Sequence, residues 1–338
     1  MTETHLRNIL VTGGAGYIGS HTCKLLALSG FLPVAYDDLS LGHSSSVRWG
    51  PLVVGDIADV KTLRETVYKY RISSVIHFAG SAYVGESVKN PRKYFENNLS
   101  KTIKMLGCLL DNDVRDFVLS STCATYGLPK RLPIDENHPQ EPINPYGESK
   151  LAIEKMLNRY GQAYGLRWLA LRYFNAAGAD PDGDIGECHN EETHLIPLAI
   201  RSTFSPEEAL NVFGTDYPTS DGTAVRDYIH VVDLASAHVS ALNYLENGRA
   251  SCAFNLGAGI GHSVGNVITA VENITGRRTH IKELPRRPGD PAELIADASL
   301  ARRELGWEPK HSGLDEIIST AWHWIRQNAE ARSCSARS

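Results

Sequence analysis

The chain has 338 residues, of which 42% are hydrophobic, so it can bury a large core and is not a disordered polymer. Its formal net charge of −5, with groups such as Arg277-Arg278 and Arg286-Arg287 no larger than pairs, argues against a nucleic-acid surface. The six cysteines form no CxxC pair, no apolar run reaches the ~18 residues that cross a bilayer, and no hydrophobic leader precedes the first apolar segment; a cytoplasmic protein with free thiols and no membrane contact is expected.

Residues 8–12 are β-branched and apolar and read as a buried strand, and residues 20–28 read as a helix. Between them lies Gly13-Gly14-Ala15-Gly16-Tyr17-Ile18-Gly19, which fits a G-x-G-x-x-G spacing from Gly14 and a wider G-x-x-G-x-x-G spacing from Gly13. Strand, glycine turn and helix together admit a pyrophosphate, because bare glycines let the backbone approach it and the helix N-terminus favours its charge. The next strand, 33–36, ends at Asp37-Asp38. A carboxylate there would accept hydrogen bonds from a ribose diol and repel a 2′-phosphate, so NAD is expected over NADP.

Residues 52–54, 74–79 and 117–119 are further apolar runs that end in small or polar residues, with helical patterns at 60–70 and 91–110 between them, and 168–171 reads as another strand. The alternation predicts an α/β protein with a Rossmann-type doubly wound parallel sheet and its ligand at the carboxyl ends of the strands. From residue 176 the texture turns to Gly, Asp, Pro and His; helical character returns over 227–245, and 253–256 reads as a return to the sheet. The expected division is a dinucleotide-binding domain of 1–175 plus about 227–256, and a smaller C-terminal α/β substrate lobe of 176–226 with 257–325. A disordered tail is expected over 329–338, which lacks bulky apolar residues.

Pro145 suits the first turn of a helix whose apolar positions Leu151, Ile153, Met156, Leu157 and Tyr160 recur at helical spacing. Tyr146 and Lys150 then share one face, four residues apart. A neighbouring ammonium, aided by a cationic nicotinamide ring, would lower the phenol from its ordinary pKa of ~10 and fit it to take a proton from an alcohol. Thr122, at the end of the preceding strand, can hydrogen-bond the same oxygen.

Thr12-Gly-Gly-Ala-Gly-Tyr-Ile-Gly-Ser-His21, Ser120-Ser-Thr122, Tyr146-x-x-x-Lys150 and Arg172-Tyr-Phe-Asn175 resemble the extended short-chain dehydrogenase/reductases. With Phe213-Gly-Thr-Asp-Tyr-Pro and Val225-Arg-Asp-Tyr-Ile-His230, the chain from about residue 8 to residue 324 resembles their UDP-sugar 4-epimerases. The resemblance implies an NAD-dependent isomerase that inverts C4 of UDP-glucose or UDP-galactose through a transient 4-keto sugar. It also implies a homodimer, with helices 91–110 and 147–164 as candidate interface.

By the same resemblance Gly13, Gly16, Tyr17, Ile18 and Gly19 hold the NAD pyrophosphate, Asp37 the ribose, and Asp56 and Ile57 the adenine edge. Phe78, Ala79 and Tyr173 also contact the cofactor, and Asn97 and Lys150 place its nicotinamide half. Tyr146 is implied as general base and acid, with Thr122 as its hydrogen-bonding partner and Asn175 on the sugar. His194 falls near the substrate phosphates, Phe213 near the uracil, Arg226 and Arg287 on the pyrophosphate, Tyr228 and Asp290 alongside the nucleotide, and Leu294 at the gate that sets pocket size.

Related dehydratases place Asp-Glu after the threonine, whereas Thr122 is followed by Cys123-Ala124, so elimination is disfavoured. A silent NAD-sensing protein is the non-enzyme alternative, against which the intact Tyr146, Lys150 and Thr122 stand. Ala82 replaces a lysine that often reaches the phosphates, and Leu294 is intermediate between the tyrosine and the small residue found at the gate. Residues 82–87 and 121–127 also resemble UDP-arabinose (UDP-xylose) 4-epimerases, so hexose is placed first and pentose stays open. The ligand-rich stretch 188–194 is expected to be a polar loop without metal, because its histidines lie five apart, about 140° round a helix.

Overall fold

The computed structural model describes residues 7–189, 191–287 and 289–335. Strands and helices alternate through β1 (Arg7–Thr12), α1 (Tyr17–Leu28), β2 (Phe31–Asp37), β3 (Leu52–Val54), α2 (Val60–Tyr70) and β4 (Ile72–His77). The chain continues through α3 (Val84–Lys89), α4 (Pro91–Tyr94), a π-helical stretch Phe95–Ser100, α5 (Lys101–Asp111), β5 (Asp116–Thr122), α6 (Pro145–Tyr164) and β6 (Arg167–Tyr173). Then follow β7 (Asn175–Ala177), α7 (Leu195–Ser202), β8 (Leu210–Phe213), β9 (Val225–His230), α8 (Val231–Glu246) and β10 (Cys252–Leu256). The last elements are β11 (Gly261–Ser263), α9 (Val264–Thr275), β12 (Ile281–Leu284), β13 (Glu293–Leu294), α10 (Ser299–Leu305) and α11 (Leu314–Ser335).

The large sheet has the order β10-β6-β5-β4-β1-β2-β3, and every pairing in it is parallel. The strand order reverses between β1 and β4, which opens a crevice at the carboxyl ends of these two strands. Helices cover both faces, so the central strands are apolar almost throughout and β5 is buried at every residue. One core lies under α1 and α8, with Ile9, Val11, Leu26, Leu234 and Phe254; the other lies under α2, α5 and α6, with Leu10, Leu63, Met105, Phe117 and Leu157.

The smaller sheets come from later in the chain. β9 pairs with β11 (antiparallel), β13 (parallel) and β7 (parallel), while β8 pairs with β12. A separate core of Ile196, Ile200, Val212, Val267 and Ile317 joins α7, α9 and α11.

Two elements differ from the sequence reading. The helix expected over 227–245 starts only at Val231, because residues 225–230 form β9, whose last four residues are buried in succession and carry no period-2 signal. His230 ends the strand and caps the helix, its Nδ1 accepting from the Val232 N–H at 3.1 Å. The helix expected over 91–110 contains the π-helical turn around Asn97 and Asn98, a widening often found at functional sites. The expected tail, 329–338, falls partly on the backbone of α11 and partly outside the described residues.

Candidate active site

The glycine turn needs bare carbons. Gly13 has φ +72°, and a Cβ there would stand 2.6 Å from the Ala79 nitrogen; a Cβ at Gly19 would stand 2.1 Å from the Gly13 carbonyl oxygen. The turn is therefore packed against the exit of β4, where the Phe78 and Ala79 N–H groups donate to the Thr12 carbonyl at 2.9 and 3.1 Å. α1 opens after Gly16 with no side-chain cap and no acidic residue in its first turn, leaving its N-terminal dipole to an anion. Ile18 packs into the core, and the Tyr17 hydroxyl donates to the Gly178 carbonyl at 2.6 Å.

Asp37, 8% exposed at the end of β2, accepts from the Ala15 N–H at 3.0 Å and the Leu39 N–H at 2.9 Å. Burial raises its carboxyl above the ordinary range, and those backbone donors pull against it. Asp56 pairs with Lys101 at 2.6 Å beside the buried Ile57; burial raises its carboxyl, but Lys101 and the Ala58 N–H prevail and hold it low. These groups fit a pyrophosphate, a ribose diol and an adenine edge. Gly19→Ala should force the turn open at a cost of about 1–3 kcal/mol, cutting NAD retention roughly tenfold or more. Cofactor released per chain on denaturation measures this, and a full complement of NAD in the variant would refute the packing argument.

The residues expected to handle a proton meet at the end of β5. Asn144 caps α6, its side chain accepting from the Gly147 N–H at 2.9 Å, and Pro145 fills the first position. A Cβ on Gly147 would lie 2.4 Å from the Ala124 carbonyl oxygen, so the turn carrying Tyr146 is pressed against the turn that follows Thr122. The Thr122 hydroxyl accepts from the Ala124 N–H at 3.1 Å. Lys150, 3% exposed, donates its Nζ to the Ser120 carbonyl at 2.9 Å. Tyr173 hydrogen-bonds the Ser120 hydroxyl, and Asn97 donates to the Ser81 hydroxyl at 3.0 Å.

The electrostatics differ from the sequence expectation. Burial pushes the Tyr146 phenol well above its ordinary range, Tyr173 adds to this, and the Thr122 hydrogen bond opposes it. Burial also lowers Lys150 to about 8, with Glu154 resisting, and its ammonium is aimed at a carbonyl. The protein's own groups thus keep the phenol protonated, and an oxidised nicotinamide, where bound, would supply a positive charge that lowers it.

The residues expected on the substrate side lie on and around β9. Arg226 lies beside Leu294 of β13, and Tyr228 beside Asn175 of β7, whose amide donates to the Asp227 carbonyl at 3.0 Å. The Arg226 guanidinium pairs with Asp290, and the Arg287 guanidinium carbon lies 3.9 Å from the Phe213 ring centre. Cys123, the residue after Thr122, and Leu294, the strand partner of Arg226, pack on the same small core of Tyr126, Ile134, Phe174 and Ala296, so the two halves of the site are neighbours. His194 takes other partners, its Nδ1 lying 2.7 Å from Glu187 and 2.8 Å from Glu192. Burial lowers its pKa, but these carboxylates override that and raise it to about 10.

Sequence reasoning missed the frame beneath the site. Asn98, 1% exposed, accepts from the Ser81 N–H and donates to the Ser81 carbonyl and the Ser149 hydroxyl, tying the π-helical turn to α6. Glu154 forms a buried pair with Arg172 at 2.6 Å, also accepts from Ser121, and Arg172 donates to the Tyr126 hydroxyl at 2.9 Å. The legible signal was Glu154 itself, an acid four residues beyond Lys150 on the apolar face of a helix.

A doubly wound sheet with a glycine turn at its reversal and a tyrosine, lysine and threonine at the neighbouring strand end defines a dinucleotide-dependent enzyme of the short-chain dehydrogenase/reductase type. The chain belongs to the NAD dependent epimerase/dehydratase family, which it matches over residues 9–257. It is 51% identical to the UDP-glucose 4-epimerase of Rhizobium meliloti (strain 1021), covering 94% of this chain and 96% of the relative. The crystal structure of UDP-glucose 4-epimerase from Brucella ovis in complex with NAD superimposes with a TM-score of 0.92 at 52% identity, covering 94% of this chain and 98% of that one. That of the UDP-glucose 4-epimerase from Stenotrophomonas maltophila, with bound NAD and formylated UDP-arabinopyranose, has a TM-score of 0.93 at 41% identity, covering 96% and 99%.

Proposed function

We propose that this protein is an NAD-dependent isomerase that inverts C4 of a UDP-sugar, interconverting the glucose and galactose configurations, with Tyr146 as the proton acceptor and donor. The reading is carried by the meeting of Tyr146, Thr122 and Lys150 at the end of β5, two strands from the glycine turn, with Leu294, the strand partner of Arg226, on the same core as Cys123. NAD, when bound, supplies the group that takes the C4 hydride and returns it. Tyr146 accepts the O4 proton as the alcohol becomes a ketone and gives it back when the opposite face is reduced. Thr122 orients that oxygen, and Lys150 places the cofactor ribose. Arg226 and Arg287 grip the diphosphate with forked donors and Phe213 offers the uracil a ring, so UDP stays anchored while the less tightly held sugar turns over. No carboxylate follows Thr122, which leaves elimination without its acid and base.

Incubating the protein with UDP-galactose, UDP-xylose and UDP-N-acetylgalactosamine, without added cofactor, tests both levels of the reading by chromatography of the products. UDP-glucose from UDP-galactose is expected to form fastest. Faster inversion of the pentose would overturn the hexose assignment, and no inversion of any of the three would overturn the isomerase itself.

The same reading includes a cytoplasmic homodimer and the lobe division. Exposed apolar side chains on α5 and α6 (Ile103 and Tyr164) support pairing through helices 91–110 and 147–164. The free cysteines among the described residues agree with a reducing compartment, and no helix among them is long and apolar enough to cross a membrane. A cofactor lobe of 1–175 with about 227–256 is supported by the large sheet, whose strands lie within 7–173 and 252–256; a sugar lobe of 176–226 with 257–325 is supported by the smaller sheets, to which β9 adds residues 225–230.

A further inference from the structure

The loop between β7 and α7 gathers a second set of chemically active side chains. Glu187, His189 and His194 each offer a donor atom, and the three atoms lie within 4.8 Å of one another. Glu187 Oε1 is 3.2 Å from His189 Nε2 and 2.7 Å from His194 Nδ1. The Glu187 side chain is 7% exposed, yet this oxygen has no well-aligned hydrogen-bond donor; Glu192 Oε2, from a side chain 2% exposed beside His194, has no partner either. The His194 ring already lies on the Glu187 oxygen, but Glu192 Oε2 has no such partner, and a carboxylate oxygen buried without one is costly.

We propose that Glu187, His189 and His194 bind one zinc-class divalent ion that fastens this loop to the cofactor-binding half of the protein. Two imidazoles and a carboxylate suit Zn²⁺ or Co²⁺, whereas Mg²⁺ and Ca²⁺ prefer oxygen-only sets. A tetrahedral ion with bonds of ~2.0 Å sets its ligands about 3.3 Å apart, close to the spacings seen around Glu187. The fourth position falls to water or to Glu192. Binding releases the protons on the coordinating ring nitrogens, and His194 keeps Nε2 as a donor.

The expectation of a metal-free loop rested on helical geometry. Residues 185–189 and 191–194 are not helical, and the chain brings together histidines that a helix would hold apart. The surroundings give the ion a structural task. The His189 ring packs edge-on to Tyr17 at the start of α1 and to Tyr83, His43 hydrogen-bonds the Cys188 carbonyl, and the Trp324 indole donates to the Glu187 carbonyl. An ion here would clamp the glycine-turn helix, the loop after β2 and α11 around one point.

The test uses the tag-free full chain, stripped with dipicolinate and titrated with Zn²⁺ alone or Co²⁺ alone. One Zn²⁺ per chain by mass spectrometry, strong visible absorption from tetrahedral Co²⁺, and a rise in melting temperature with Zn²⁺ are expected. His189→Ala should weaken Zn²⁺ binding roughly a hundredfold, and the near-isosteric Glu187→Gln should abolish the cobalt spectrum. Wild-type protein that takes up no Zn²⁺ and gives no tetrahedral cobalt bands overturns the site, whatever the variants do. So does wild-type binding that both folded variants retain at full affinity.

Discussion

Tyr146→Phe should lower kcat for C4 inversion by about 10²–10⁴, the usual range for a positioned acid-base group. The phenol ring meets Tyr94 edge-on at 6.4 Å, and the α6 turn that carries it is held by Asn144 and Gly147, so removing one oxygen leaves the packing in place. NAD content, KM and melting temperature should therefore stay near wild type while turnover collapses. The pH dependence offers an independent readout. Burial keeps this phenol protonated in the protein alone, and a bound oxidised cofactor would supply the positive charge that favours its ionisation. Wild-type protein should show a phenolate absorption that appears on loading NAD and is missing from the Phe variant. Turnover within threefold of wild type would remove Tyr146 from the reaction.

Glu154→Ala should cost about 3–5 kcal/mol of stability, because it leaves the Arg172 guanidinium buried without its counter-ion. Both side chains are nearly inaccessible, at 5% and 7%, and burial opposes the Arg172 charge while Glu154 sustains it. The change also strips the Ser121 hydroxyl of its acceptor on β5. Glu154→Leu combined with Arg172→Met should recover a large part of the loss, since an apolar pair of similar volume carries no desolvation penalty. Guanidinium titrations of the single and paired variants measure both effects. A single variant within 1 kcal/mol of wild type would show that the pair does not hold α6 to the sheet.

Periodicity carried the large sheet, because both of its faces are buried and its strands stand out as apolar runs between amphipathic helices. It failed at β9, where a strand buried over Asp227–His230 runs directly into α8 and the two read as one helix. The glycine turn was legible for a local reason: the clash that a Cβ would make at Gly19 is with Gly13, six residues away. The frame of Asn98, Ser81, Ser149, Glu154 and Arg172 was not, since its hydrogen bonds join residues 17 to 51 positions apart that share no local pattern.

The sequence by itself determined the glycine turn, the acid at the end of the second strand, and the helix that sets Tyr146 and Lys150 on one face, because each depends on neighbours within a few residues. Only the tertiary structure decided that burial raises the Tyr146 phenol, that Leu294, the strand partner of Arg226, shares a core with Cys123 beside Thr122, and that Glu187, His189 and His194 converge. Solvent exclusion and contact between distant segments set those outcomes, and neither is written in the spacing of residues along one element.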